Sequence, residues 1–248
     1  MAGHRRVGGG GYSRGIMEIL AQHYQDVCDR ITRAAQACGR DPSSVRLLAV
    51  SKTFGVGAIR TVAACGQVDF GENYIQEGVD KILLLRAEPA TAGLVWHCIG
   101  PIQSNKTRLV AEHFDWVHSI DRLKTAQRLS EQRPAHLPPL QVCLQVNIDG
   151  GATKSGVAPD DVLALARAVG ALPRLQLRGL MTIPDLAPDD AAMLAVHQRT
   201  ALLWRELQSS LPDQTLDVLS MGMTADLEIA IQAGSSLVRV GTAIFGRR

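Results

Sequence analysis

Short apolar runs alternate with helical patterns along almost the whole chain, and this alternation limits the fold more than any other feature of the sequence. Each run has the length of a buried strand, and each is followed by apolar residues at helical spacing. Strands separated by helices pair in parallel, because a parallel connection has to cross over the sheet. The eight runs are residues 47–50, 68–70, 94–99, 116–120, 141–148, 175–182, 216–220 and 237–240.

Eight strand and helix units in 248 residues predict an α/β protein with a single, closed (β/α)8 barrel of the TIM type. An open, doubly wound sheet is the alternative fold. An extra helix is expected at residues 16–37, before the first strand. Residues 1–15 contain four consecutive glycines and lack the apolar middle of a secretory signal, so they predict a disordered extension. The barrel domain is therefore expected at residues 16–248.

Composition and charge exclude several classes of partner. A net charge of +2 is too small to indicate nucleic acid or a membrane surface, and no apolar run reaches the length of a membrane span. The five cysteines are odd in number and show no CxxC spacing. They predict reduced thiols in a cytoplasmic protein, with no disulfide framework and no metal site.

Polar residues follow the predicted strands, and in a barrel the carboxyl ends of all strands meet on one face, where the functional site lies. Lysine is seldom buried unless it is paired or used chemically, so Lys52, directly after the first strand, is the leading candidate. The alternative is a lysine that extends to solvent. Ser119, Asp121 and Thr182 are better explained as helix caps or turn formers. The other polar residues at strand ends are Asn73, His97, Asn147, Ser220, Arg239 and Thr242.

The loops after strands seven and eight predict a phosphate site. Barrels often bind phosphate with these two loops, through backbone N–H groups and hydroxyls. Gly241 would let the backbone approach the anion, and Ser220 and Thr242 would donate hydrogen bonds from their hydroxyls. Turn glycines and a capping Thr224 are the structural alternative.

A lysine that faces a phosphate site suggests a Schiff base with a phosphorylated aldehyde, and pyridoxal 5'-phosphate (PLP) has both groups. Its ring nitrogen would then lie near Arg239. A guanidinium that donates to this nitrogen leaves it unprotonated, which weakens the ring as an electron sink. An arginine paired with a core carboxylate is the alternative for Arg239.

Many separate motifs, in order from residue 17 to the end, carry a resemblance to one family. They are Val50-Ser51-Lys52-Thr53, Phe70-Gly71-Glu72-Asn73-Tyr74, the segment His97-Cys98-Ile99-Gly100-Pro101, Lys154-Ser155-Gly156, Leu219-Ser220-Met221-Gly222-Met223 and the segment Val238-Arg239-Val240-Gly241-Thr242. The chain resembles the PLP homeostasis proteins of the YggS/PROSC type. This resemblance implies a fold-type III barrel like the N-terminal domain of alanine racemase.

The resemblance also implies roles for individual residues. Lys52 would carry the cofactor, Ser220, Gly241 and Thr242 would contact its phosphate, Arg239 would meet the ring nitrogen, and Asn73 would lie near the ring. It further implies intracellular PLP homeostasis without established catalytic turnover, with PLP-requiring apo-enzymes as partners and a monomer or weak dimer as the state of assembly. The chain departs from the family pattern at Phe54-Gly55, where lysine and proline are usual, and at Thr224-Ala225, where Ser-Asp is common.

Two other functions stay open from the sequence. The first is a PLP-dependent amino-acid racemase or lyase, which needs a second base opposite the lysine. The only tyrosines are Tyr12, Tyr24 and Tyr74, and none lies in an added C-terminal domain. The second is a cofactor-free aldolase in which Lys52 forms imines with sugar phosphates. Lys154, in a glycine-rich loop, could hold the cofactor transiently, although a solvated loop lysine is the simpler interpretation.

Overall fold

A closed barrel of eight parallel strands forms the centre of the protein, as the alternation predicts. The structure is a computed structural model that describes residues 13–151 and 153–247. Neighbouring strands pair in sequence order, and β8 closes the barrel on β1. The strands are β1 (Arg46–Val50), β2 (Asp69–Glu72), β3 (Val95–Cys98), β4 (Trp116–Ile120), β5 (Leu140–Gln145), β6 (Leu175–Met181), β7 (Val218–Ser220) and β8 (Leu237–Val240).

Helices surround the barrel, with one more before the first strand. They are α1 (Arg14–Ala37), α2 (Val56–Ala64), α3 (Ile75–Arg86), α4 (Thr107–His113), α5 (Leu123–Gln132), α6 (Val162–Gly170), α7 (Asp190–Ser210), α8 (Leu227–Gln232) and α9 (Thr242–Phe245). The predicted disordered extension falls mostly outside the described residues, which begin at Ser13. Helix α1 begins at Arg14, two residues before the predicted start.

The extra helix α1 packs along the outside of the barrel against α2, α8 and α9. Its buried side chains recur every three or four residues, so they form one apolar stripe. They are Leu20, Tyr24, Val27, Ile31, Ala34 and Ala35. Because α9 carries the residues after β8, this contact fixes the last loop of the barrel against the first helix.

The barrel encloses a small apolar core that is separate from the layer between strands and helices. Its buried members are Leu48, Val50, Ile99, Trp116, Cys143, Met181, Val218 and Leu237. At the amino-terminal end, the guanidinium groups of Arg46 and Arg178 lie 5.2 and 4.9 Å from the centroid of the Trp116 ring. His97 stacks on the same ring at 5.3 Å. Cation–π contacts therefore seal this end of the barrel.

Two local expectations are wrong. Strand β5 ends at Gln145 rather than at residue 148, because the chain turns back and pairs Val146 with Val157 in an isolated bridge. Gly156 permits this return, since a Cβ atom there would lie 2.5 Å from the backbone nitrogen of Asn147. The loop expected after β8 contains the short helix α9.

None of the helices in the described part of the chain is long and apolar enough to cross a bilayer. The five cysteines are all free thiols.

Candidate functional site

Residues from the first and last strands of the barrel line one cavity at the carboxyl ends of the strands. Its volume is about 320 Å³. Lys52 enters it from the turn after β1, and Gly241 and Thr242 enter it from the end of β8. The remaining lining residues are Val50, Thr53, Phe54, Gly246 and Arg247. Three of the predicted site residues therefore share one cavity, although they are far apart in the sequence.

The turn that carries Lys52 has an unusual backbone. Thr53 has a φ of 67°, in the left-handed region that β-branched residues rarely adopt. Its N–H donates a hydrogen bond to Oε1 of Glu77, at 2.7 Å. A strained residue persists only where its surroundings fix it, and such residues concentrate at functional sites. The strain at Thr53 therefore fixes how the preceding lysine leaves the strand.

A buried ionic cluster contacts Ser51, next to Lys52, and supports this turn. Lys81 lies 2.8 Å from Glu72 Oε1 and 2.6 Å from Glu77 Oε1, and it also donates to the carbonyl oxygen of Ser51. The hydroxyl of Ser51 donates to Glu72 at 2.6 Å. Burial raises the pKa of Glu72 above its ordinary value, although Lys81 and Ser51 act in the opposite direction. The cluster connects β1, β2 and α3 directly beneath Lys52.

Asn73 follows β2 and holds a buried oxygen that is available to a ligand. Its Oδ1 atom is buried and has no hydrogen-bond partner in the described part of the chain. A buried oxygen of this kind is an acceptor that a bound ligand can satisfy. Close packing positions Asn73, because a Cβ atom on Gly100 would lie 2.2 Å from the carbonyl oxygen of Asn73.

We expect Gly100→Ala to lower the free energy of unfolding by roughly 1–3 kcal/mol, because the added methyl group has to displace the backbone of Asn73. Urea unfolding would measure the change. Gly93→Ala is the matched control, since no atom lies within 4 Å of the Cβ position there. Equal stability of the two variants would contradict this close packing.

Arg239 lies inside the barrel and not in the cavity beside Lys52. Its Nη1 atom donates to the carbonyl oxygen and to the hydroxyl of Ser220, both at 2.8 Å, and Nη2 donates to the carbonyl oxygen of Thr182 at 2.7 Å. A guanidinium has five N–H groups, so two are left for another acceptor. Burial lowers the pKa of Arg239 to about 10, so the group remains charged at neutral pH.

The structure places Ser220 differently from the prediction. Its side chain is fully buried, and its hydroxyl lies 3.0 Å from Nδ1 of His118 in addition to its contact with Arg239. This hydroxyl is therefore engaged inside the barrel and is not among the groups that line the cavity with Thr242. Ser220 ends strand β7 with its side chain turned inward, which a loop-based interpretation does not anticipate.

Lys154 lies outside the cavity that contains Lys52. Its amine is 2.5 Å from Asp149 Oδ2 and 2.9 Å from Asp185 Oδ1, and it lines a second cavity of about 260 Å³ beside Asn147. Burial would lower the pKa of Lys154, but hydrogen bonds to the two carboxylates outweigh it and raise the pKa. Lys154 is thus held between carboxylates and is not simply a solvated lysine.

Three residues in or beside the site are not among the predicted site residues. The sequence predicts a capping or turn role for Thr182, but its Oγ1 atom is buried and has no partner in the described chain. Its carbonyl oxygen accepts a hydrogen bond from Arg239. Phe54 stacks on Phe245 at 5.2 Å, at the edge of the cavity. No motif marks His118 in the sequence, although its position two residues after Trp116 places it on the same inner face of β4.

Other cavities lie away from the strand ends. A cavity of about 480 Å³ lies beside α6 and α7, and one of about 680 Å³ lies between α1 and α8. Within residues 13–151 and 153–247, no group of three or more His, Cys, Asp and Glu side chains is arranged to hold a metal ion. The carboxyl ends of the strands differ from these surfaces because the amine of Lys52, the guanidinium of Arg239 and the unpartnered oxygens of Asn73 and Thr182 are all located towards that end of the barrel.

Comparison with known proteins gives concordant matches. Residues 24–248 match the family model described as the N-terminal domain of alanine racemase. The PLP homeostasis protein of Pseudomonas aeruginosa is 57% identical over 94% of this chain and 97% of its own length. The corresponding protein of Vibrio cholerae is 54% identical over 94% and 98%.

A solved structure extends the match to three dimensions. PipY of Synechococcus elongatus, determined with PLP bound, has a TM-score of 0.76 and 38% identity, over 88% of this chain and 100% of that one. Identity at this level over nearly the full length shows common family membership as well as a common fold. The chain therefore belongs to the family of pyridoxal phosphate homeostasis proteins, which is built on the alanine racemase N-terminal barrel.

Proposed function

We propose that this protein binds PLP at the carboxyl ends of its barrel strands and acts in PLP homeostasis in the cytoplasm. The observation that carries the proposal is the convergence of Lys52, Gly241 and Thr242 on one cavity of about 320 Å³. The names of the bacterial relatives and the PLP in the PipY structure support it. The five free thiols are compatible with a reducing compartment.

The residues at the site fit the chemical groups of PLP. When bound, the cofactor supplies an aldehyde that reacts reversibly with amines. Lys52 would hold that aldehyde as a Schiff base, and the backbone at Gly241 and the hydroxyl of Thr242 would receive the phosphate. The two remaining N–H groups of Arg239 would donate to an acceptor on the ring, and the unpartnered oxygens of Asn73 and Thr182 would contact the rest of the ligand. Ser220 acts through Arg239 and not on the phosphate.

The proposed role is to hold and release the cofactor for apo-enzymes that require PLP. A charged guanidinium that donates to the ring nitrogen would disfavour its protonation, and an unprotonated ring is a weaker electron sink. That arrangement suits storage better than transformation of amino acids. We propose that the protein holds and releases the cofactor as a monomer or weak dimer.

Peptide mapping tests the site directly. We expect the purified protein incubated with PLP to show a visible absorption band, and borohydride reduction to fix the cofactor on the peptide that contains Lys52. Mass spectrometry after digestion measures this position. A protein that gives no band and no reduced adduct would contradict PLP binding, and an adduct confined to another lysine would contradict the assigned site.

A further inference from the structure

A row of polar side chains crosses the interior of the barrel, and the proposed function assigns a ligand contact only to its last member. Asp69 Oδ1 lies 2.9 Å from His97 Nε2, and His97 Nδ1 lies 2.9 Å from His118 Nε2. His118 Nδ1 lies 3.0 Å from the hydroxyl of Ser220, which accepts from Arg239 at 2.8 Å. Five strands contribute to this continuous chain. It runs from the first residue of β2, at the amino-terminal end, to Arg239 near the carboxyl ends.

The hydrogen-bond chemistry of the chain gives it a single direction. A carboxylate can only accept, so His97 donates from Nε2 to Asp69 and, when neutral, accepts at Nδ1. His118 then donates from Nε2 to His97 and accepts at Nδ1. The hydroxyl of Ser220 donates to His118, and its oxygen accepts from Arg239. Each atom in the chain is satisfied by this one assignment of tautomers.

The surroundings of the two histidines keep them neutral. Burial lowers the pKa of His97, and burial together with the positive charges of its neighbours lowers the pKa of His118 well below the ordinary value. Burial would raise the pKa of Asp69, but His97 and Arg46 outweigh it and hold the pKa below the ordinary value. The charged or titratable groups that act on the two rings are Asp69 of β2, Arg46 of β1, Asp115 before β4 and Arg239 of β8.

We propose that Asp69, His97, His118 and Ser220 are positioning residues that orient Arg239 through one directional hydrogen-bond chain. This inference rests on the proposed function, because Arg239 is assigned to the cofactor ring there. Hydrogen bonds in a chain polarise one another, so the carboxylate at one end makes the oxygen of Ser220 a better acceptor at the other. The neutral tautomers also keep a second positive charge away from Arg239.

The chain thereby decides which N–H groups of Arg239 are free. Ser220 occupies both N–H groups of Nη1, and Thr182 occupies one of Nη2. The barrel interior excludes solvent from the middle of the chain, since His97, His118 and Ser220 are fully buried. Solvent reaches its far end, because the side chain of Asp69 is 20% exposed. The orientation of a group at the cofactor site thus depends on a carboxylate at the opposite end of the barrel.

Nitrogen-15 NMR of histidine in the PLP-free protein tests the direction of the chain. We expect His97 and His118 to be neutral at about pH 6, with protons on Nε2 that exchange slowly with water. We expect Asp69→Asn to accelerate this exchange and to redistribute the proton of His97 between its nitrogens. Protons on Nδ1 or an imidazolium in the wild-type protein would overturn the proposal.

The absorption spectrum of bound PLP tests the effect on Arg239. We expect His118→Leu to shift the absorption maximum or the midpoint of its pH titration, and His118→Gln, which keeps a donor and an acceptor, to lie closer to the wild-type protein. His113→Gln, at the end of α4 and outside the chain, is the control. A His118→Leu protein that binds PLP with the wild-type spectrum and pH profile would overturn the positioning role. If the wild-type protein binds no PLP, the proposed function fails, while the NMR result still decides the direction of the chain.

Discussion

Lys52→Ala should abolish the reducible PLP adduct while the barrel stays folded. Lys52 is exposed on the turn after β1, so its removal opens no cavity in the core. The strained backbone at Thr53 is fixed by Glu77 and does not depend on the lysine side chain. The variant should therefore keep the wild-type circular dichroism and unfolding midpoint, and mass spectrometry after borohydride reduction should detect no cofactor on the protein.

Lys154→Ala is the matched control for this experiment. Both lysines follow barrel strands on the same face, but only Lys52 lies in the cavity with Gly241 and Thr242. The amine of Lys154 is held as a cation between Asp149 and Asp185, and a protonated amine does not attack an aldehyde. We expect the control to form the adduct as the wild-type protein does. Retention of the adduct by Lys52→Ala and its loss from Lys154→Ala would reverse the assignment.

The wild-type protein and the Lys52→Ala variant also distinguish a carrier from an enzyme. A racemase or lyase that used Lys52 would convert amino acids at a rate that falls with the Lys52→Ala change. Incubation of the PLP-loaded wild-type protein with D- and L-amino acids, followed by chiral chromatography, measures this activity. Clear racemisation that depends on Lys52 would replace the homeostasis role by a catalytic one.

The barrel could be predicted from the sequence because its strands are buried on both faces. Such strands form short continuous apolar runs, so all eight could be recognised one by one. The bend after Gln145 was not predictable in this way, since the bridge from Val146 to Val157 depends on how a glycine-rich loop returns to the strand. The helix α9 is too short to show a periodic pattern.

The site could be predicted only for residues whose chemistry and position after a strand both indicate a ligand contact. Lys52, Gly241 and Thr242 follow strands, and a closed barrel brings them together. Ser220 follows the same rule, yet its side chain belongs to the interior chain, because the last residue of a strand faces either inward or outward. Whether such a side chain faces inward or outward depends on how strands that are distant in the sequence pair with each other. His97 and His118, 21 residues apart, meet only after β3 and β4 are placed side by side.

Lys81→Met should lower the free energy of unfolding by about 3–5 kcal/mol at about pH 7, because it leaves the buried carboxylate of Glu72 without its cation. Glu72 is fully buried, and Lys81 contributes ion pairs to both Glu72 and Glu77. One oxygen of Glu72 already has no partner in the described chain. Urea unfolding measures the loss, with Lys124→Met, on the exposed face of α5, as the control.

The loss should become smaller on acidification. The pKa of Glu72 is already raised above 4.5 in the folded protein, and removal of Lys81 should raise it further. A carboxyl group with a raised folded pKa binds its proton more tightly in the folded than in the unfolded state. Its contribution therefore favours folding at low pH and is lost as pH rises from 4.5 through the folded pKa. The stability difference between the variant and the wild-type protein should accordingly shrink between about pH 7 and about pH 5.

A double variant identifies the buried charge as the cause. Lys81→Met combined with Glu72→Gln keeps an acceptor for the hydroxyl of Ser51 but removes the unpaired carboxylate of Glu72. We expect it to recover most of the stability and to lose the pH dependence of the difference, because an unpaired buried charge costs more than a neutral polar group. A single variant that is as stable as the double variant at every pH would assign the loss to the packing of α3 and to the turn of Lys52 instead. In that case, the cluster would support the turn through side-chain packing and not through its ion pairs.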